Sequence, residues 1–189
     1  MSTKTMVMGA VMTALVIVFQ LVGTYTTFFG PFSTALALVP IVLGAALCGV
    51  GIGTWLGLVF GFIVLVSGGA NLFFMFNVPG TIITVLVKGA ACGLAAGLVY
   101  NLFKKINPYV AVLAAAIVCP VVNTACFLLG CAVFFLSSAN SIAAQLKLQV
   151  TGFDVFWALA TANFLFELGM NIVLSPAIVR LLNIREKTE

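Results

Sequence analysis

Long runs of apolar and small residues fill this chain almost without interruption, separated by short polar or glycine-rich stretches. A bilayer crossing takes about 20 mostly apolar residues, with a range of about 17–25. On that scale the pattern predicts six helices. The first covers about Thr5 to Val22 and is ended by Gly23 and the polar GTYTT. The second covers about Ser33 to Gly49, the third about Gly51 to Ser67 and the fourth about Gly80 to Phe103. The fifth covers about Pro108 to Phe135 and the sixth about Phe153 to Leu182. Only GVG separates the second from the third. Together they are too long for one crossing, so a tight turn is expected. The segment GGANLFFMFNVPG before the fourth helix is apolar yet punctuated by Gly and Pro, which predicts a loop folded back on the bundle. SSANSIAAQLKLQVTG, the most polar connection, is expected to hold a short interfacial helix.

Composition supports a bilayer setting. Of 189 residues, 63% are hydrophobic and 6% charged, against about 25% charged in a soluble domain. So few ionisable groups cannot cover a water-facing surface, and lipid must do so. The first run follows Lys4 like a secretory signal, but it has no polar region with an A-x-A-like cleavage site and further spans follow. It is therefore read as a permanent helix. Basic residues favour cytoplasmic loops. With both termini inside, that side holds Lys4, Lys104, Lys105, Arg180, Arg185 and Lys187, and the outside holds Lys147 alone. The net charge of +4 then reflects topology, and no nucleic-acid partner is expected.

Several chemistries have no residues to support them. There is no histidine, and the five cysteines (Cys48, Cys92, Cys119, Cys126, Cys131) all lie in apolar runs without a C-x-x-C. They are read as small buried hydrophobes, and no metal or cofactor is expected. No G-x-x-x-x-G-K-[ST] is present, so the chain does not bind ATP through a P-loop. The two halves show no internal repeat of the kind many secondary transporters carry. A membrane enzyme needs clustered acids or histidines; with one intramembrane acid, the chain is not expected to be an enzyme.

Polar residues inside the runs are the candidate chemistry. Lys88 lies within TIITVLVKGAACGLAAG, about 12 Å along the fourth helix from its outer end. A charge there costs about 2.5–3.5 kcal/mol on insertion scales and needs a partner or a watery cavity. One partner is an anionic ligand group, helped by the positive end of the helix dipole. The other is Glu167, about 21 Å along the sixth helix. Depth leaves both readings open. Asn123 follows Pro120 in the fifth helix, Asn163 and Asn171 flank Glu167 by one turn each, and Gln20 sits near the outer end of the first. Each either binds ligand or bonds a neighbouring helix. The outer loops supply Tyr25, Phe28, Phe29, Asn71, Phe73, Phe74, Phe76 and Asn77, and Trp157 lies at the outer end of the sixth helix. They act either as interfacial anchors or as contacts over a pocket.

Small residues recur four apart. Ala10 and Ala14 form A-x-x-x-A in MGAVMTALV, with Gly9 and Thr13 expected to extend the same face, and Gly53, Gly57 and Gly61 repeat the spacing in the third helix. Such stripes let another helix approach closely. Six spans in under 200 residues, this A-x-x-x-A, the joined pair in GPFSTALALVPIVLGAALCGVGIGTWLGLVFGF and the missing ATPase motif together resemble the substrate-binding S-component of energy-coupling factor (ECF) transporters. The resemblance spans nearly the whole chain, strongest from Gly30 to Lys105 and weakest in the last third.

The resemblance implies an all-α integral membrane protein, a single six-transmembrane-helix bundle over residues 1–189 with both termini cytoplasmic. It implies a binding subunit in a bacterial-type plasma membrane. Such a subunit captures a small water-soluble vitamin from outside and works with a membrane scaffold subunit and two cytoplasmic ATPases. Ala10 and Ala14 would meet the scaffold. Lys88, Asn123, Asn163, Asn77, Gln20, Tyr25 and Trp157 are the expected ligand residues. The family's covering loops favour Asn77 over Asn71. Some relatives place an acid where the second helix begins, but STALALVP has none, which counts against a riboflavin-type ligand. An intramembrane cation suits a carboxylate or phosphate, and pantothenate is the first vitamin to test, ahead of folates, nicotinate and pyridoxal compounds. The alternative is an autonomous proton-coupled secondary transporter of a small anionic metabolite, with Glu167 as the protonation site.

Overall fold

The structure, a computed structural model, describes residues 3–25 and 36–186. Each of the six apolar runs carries a helix: α1 Thr3–Tyr25, α2 Leu38–Cys48, α3 Val50–Val66, α5 Val78–Phe103, α6 Pro108–Phe134 and α8 Asp154–Glu186. Two short helices complete the order, α4 Asn71–Phe74 in the folded-back loop and α7 Ala139–Gln145 in the polar connection. No strand occurs among the described residues. Four helices are long and apolar enough to cross a membrane: α1, α5, α6 and the Asp154–Leu182 part of α8. The second run differs from expectation. Its helix has 11 residues, about 17 Å, which is short of a crossing. Its expected start near Ser33 lies outside the described residues.

Local chemistry sets the boundaries. α5 starts at Val78, two residues before the expected Gly80, because the Asn77 side chain accepts the Gly80 N–H at 2.9 Å and Pro79 fits the first turn. Asn107 caps α6 the same way, accepting from the Tyr109 and Val110 amides. Gly49 alone separates α2 from α3, with φ of +94°, a backbone that a glycine adopts without a Cβ penalty. Within α8, Pro176 has no N–H for the Ile172 carbonyl, and the Ser175 hydroxyl donates to that oxygen at 2.8 Å instead.

Because α2 is apolar all round, it takes the centre. Seven of its residues, among them Ile41, Val42 and Leu43, are buried, and α1, α3, α5, α6 and α8 all touch it. Around it, α3 and α5 run antiparallel at backbone contact. A Cβ on Gly57 would fall on the Gly89 carbonyl, one on Gly93 would fall on the Gly53 carbonyl, and one on Gly61 would lie 2.8 Å from the Val85 oxygen. The glycine stripe of α3 thus packs within the chain, against Gly93, Gly89 and Val85 of α5.

The same contacts set the levels. Gly9 faces Ile52 and Gly97 faces Val50, so the start of α1, the α2–α3 turn and the end of α5 share one end. At the other end Thr24 and Ser67 share a hydrogen bond of 3.2 Å, and Gly80 faces Phe134. The small face of α1 is split, contrary to expectation. Ala10 and Ala14 are exposed, whereas Gly9 is buried against Ile52, and the Thr13 hydroxyl turns back to the Gly9 carbonyl at 2.8 Å. Neighbours in a helix lie 100° apart, so adjacent small residues cannot all face one way.

Gly57→Val is expected to force the α3–α5 backbones apart and to lower the thermal midpoint in detergent, at about 1–3 kcal/mol for overpacking. Gly51→Ala, where a Cβ meets nothing within 4 Å, should be neutral or slightly stabilising on the same helix. Equal melting of both variants would contradict the packing.

Candidate functional site

At the end where α3 finishes and α5 begins, α3, α5, α6 and α8 do not close on one another. They enclose a cavity of about 90 Å³. Phe60 and Val64 of α3, Val85 and Lys88 of α5, Asn123 and Phe127 of α6, and Asn163 and Glu167 of α8 stand in its wall. Residues 69, 70, 72 and 73 of the folded-back loop line it as well. Phe73 fixes that loop by edge-on ring contacts with Phe127 at 5.6 Å and Phe135 at 5.2 Å.

Lys88 reaches this space from half-buried ground on α5. Its Nζ stands 5.7 Å from the Phe60 ring centroid and 5.6 Å from that of Phe127, within the range of cation–π attraction. Glu167 is 1% exposed and makes different contacts. Asn163 Nδ2 donates to its Oε1 at 2.6 Å, and Asn123 Nδ2 donates to Oε1 at 3.3 Å and to Oε2 at 3.1 Å. The i to i+4 spacing of Asn163 and Glu167 places the first pair on one face of α8. No ion pair within 4.0 Å joins Lys88 to Glu167 among the described residues. The two nonetheless face one cavity. With α5 starting at Val78, Lys88 lies about 15 Å along its helix and Glu167 about 20 Å along α8, closer in depth than the runs alone suggest.

Of the expected ligand residues, the cavity gathers Lys88, Asn123 and Asn163 and leaves out four. Asn77 uses its side chain to cap α5, and its Nδ2 donates to the Phe134 carbonyl at 3.4 Å. Gln20 is buried on α1, its Nε2 donating to Thr24 at 3.3 Å. Tyr25 is 77% exposed at the end of α1, and Trp157 is 53% exposed. The inward stripe of α8 runs through Phe156, Ala160, Asn163 and Glu167, which turns Trp157 outward by one helical step. Asn71 is exposed and lines nothing, while the loop meets the cavity through apolar residues instead. Phe28 and Phe29 lie outside the described residues. Asn171 is buried one turn below the cavity, where its Nδ2 donates to the Glu167 carbonyl at 2.9 Å.

Sequence reasoning missed Phe60 and Phe127 as the rings beneath the cation. The one signal for them was spacing: Phe127 is one turn from Asn123, on its face of α6. Among the described residues no group of three or more His, Cys, Asp or Glu is placed to hold a metal ion.

A family model for the ECF transporter substrate-specific component matches residues 4–179. The chain belongs to that family. Comparison with curated proteins and with solved structures gives no match. As a substrate-specific component, it is a multi-pass membrane protein and the substrate-binding subunit of an ECF transporter, in a family of transport subunits rather than enzymes. For such a component the cavity is the natural candidate for the substrate site. It is concave and mostly apolar, with a few convergent polar groups.

Proposed function

We propose that this S-component captures a small water-soluble vitamin or related micronutrient from outside the cell, in the cavity between α3, α5, α6 and α8. The observation that carries the reading is Lys88, an intramembrane cation that opens on a cavity and has no acid within 4.0 Å among the described residues. Such a group is costly unless a guest meets it. An anionic group on the cargo meets that need, and pantothenate remains the first compound to test. Six spans with both termini cytoplasmic, as one domain over residues 1–189, complete the proposal. The basic residues support it, since Lys4 adjoins the level of Gly9 while Lys104 and Lys105 follow Gly97 at the same end, away from the cavity. Exposed apolar residues such as Val7, Val18, Phe62 and Leu129 would face lipid. Transport then depends on a scaffold subunit, met through Ala10 and Ala14, and on two cytoplasmic ATPases, in a bacterial-type plasma membrane.

Native mass spectrometry of protein purified from cells grown in rich medium is expected to find one small anionic molecule retained. Protein that is empty and binds no vitamin would overturn the proposal. The second reading, an autonomous proton-coupled transporter, draws on Glu167 in the cavity wall. It requires uptake that collapses with the proton gradient and survives loss of the ATPases.

A further inference from the structure

The two sides of the cavity offer opposite chemistry. On α5 stands Lys88, with three N–H donors and no acceptor, and no hydrogen bond or ion pair joins it to another described residue. Across from it, α6 and α8 present oxygen. Both N–H contacts of Asn123 go to the Glu167 carboxylate, which commits the amide nitrogen and leaves the amide oxygen over. That oxygen, Asn123 Oδ1, is buried on a side chain 2% exposed and has no partner among the described residues. Asn163 likewise turns its N–H to Glu167. The acceptors on this side outnumber the donors.

A buried acceptor without a donor costs about 1–3 kcal/mol, more when charged. The Asn123–Asn163–Glu167 wall is therefore incomplete by itself, and Lys88 does not complete it. We propose that Asn123 Oδ1, the oxygen left over when Asn123 gives its N–H groups to Glu167, is a ligand-recognition group that accepts a hydrogen bond from the cargo. The cargo is then two-ended, with a single anionic group at Lys88 and an N–H or O–H donor at the opposite wall. This deepens the reading of the cavity as the cargo site and rests on it. A plain acid without donors leaves Asn123 Oδ1 as costly as before. A molecule with anions at both ends brings a second acceptor to a wall whose N–H donors are already turned to Glu167. The chemistry thus selects polarity within the ligand as well as charge.

The test uses the full chain in detergent, with pantothenate (one carboxylate, N–H and O–H donors) and nicotinate (one carboxylate, no donor) as probes. Any molecule retained through purification is a third. The binder is expected to carry both an anionic end and a donor. On the wild-type protein, methylating its N–H and O–H groups while keeping the carboxylate should weaken binding by about tenfold or more. Glu167→Gln, whose amide N–H can donate to Asn123 Oδ1 in place of the cargo, should lose affinity similarly, with folding checked by thermal melting. The methylated ligand gives the answer even where that variant fails to fold. Binding indifferent to methylation, or preference for nicotinate, overturns the role of Asn123 Oδ1 and leaves the cargo site standing. No binding of any probe and no retained molecule overturns the cargo site itself.

Discussion

Lys88→Ala is expected to bind cargo at least about tenfold more weakly, the scale of one lost hydrogen bond to a charged group, and to fold as well as the wild type. The second half of that expectation discriminates. Removing one partner of a buried ion pair costs about 3–5 kcal/mol, because the other charge is left alone. Lys88 has no such pair among the described residues: its neighbours are the rings of Phe60 and Phe127, and the Glu167 carboxylate is held by Asn123 and Asn163. The cation–π attraction that alanine gives up is worth about 0.5–2 kcal/mol, against the roughly 2.5–3.5 kcal/mol that an intramembrane charge costs. Stability should hold or rise. Titration of the retained molecule and a melting curve on the same preparation check both halves. Unchanged affinity with a sharp loss of stability would mean that Lys88 serves Glu167 rather than the cargo.

Replacing Ala10 and Ala14 together with leucine is expected to abolish assembly with the scaffold while leaving cargo affinity as it was. Both alanines are exposed on α1, beside the exposed Val7 and Val11. Added side chains there extend away from the core and reach neither α2 nor the cavity. Close approach between membrane helices depends on small residues four apart, and two leucines would hold a partner helix off. Co-purification with tagged scaffold reads assembly, and calorimetry reads binding. Normal uptake by the double variant would move the docking face elsewhere. Leucine at Gly9 is a poor substitute for this test, because Gly9 packs on Ile52 inside the bundle.

Much of the site was legible from single residues. Lys88, Asn123, Asn163 and Glu167 stand out because polar groups within apolar runs are costly, and all four stand in the cavity wall. Residues near the outer ends of the runs were misplaced. Asn77, expected as a contact over the pocket, instead caps α5, its side chain accepting the Gly80 N–H. Trp157 sits at the right depth on the wrong side of its helix. Depth follows from counting residues, whereas facing depends on which neighbours a helix finds.

Taken alone, the amino-acid order determined the six apolar runs, the all-helical class, the tight α2–α3 turn at Gly49, and the few buried polar groups that must find partners. Each is a local consequence of hydrophobicity, spacing or backbone freedom. Tertiary structure decided the rest. It set the all-round burial of α2, the α3–α5 contact through paired glycines, the split of the small face on α1 and the separation of Lys88 from Glu167 across a cavity. These depend on contacts between residues far apart in the chain, where packing chooses among arrangements that hydrophobic periodicity leaves equal.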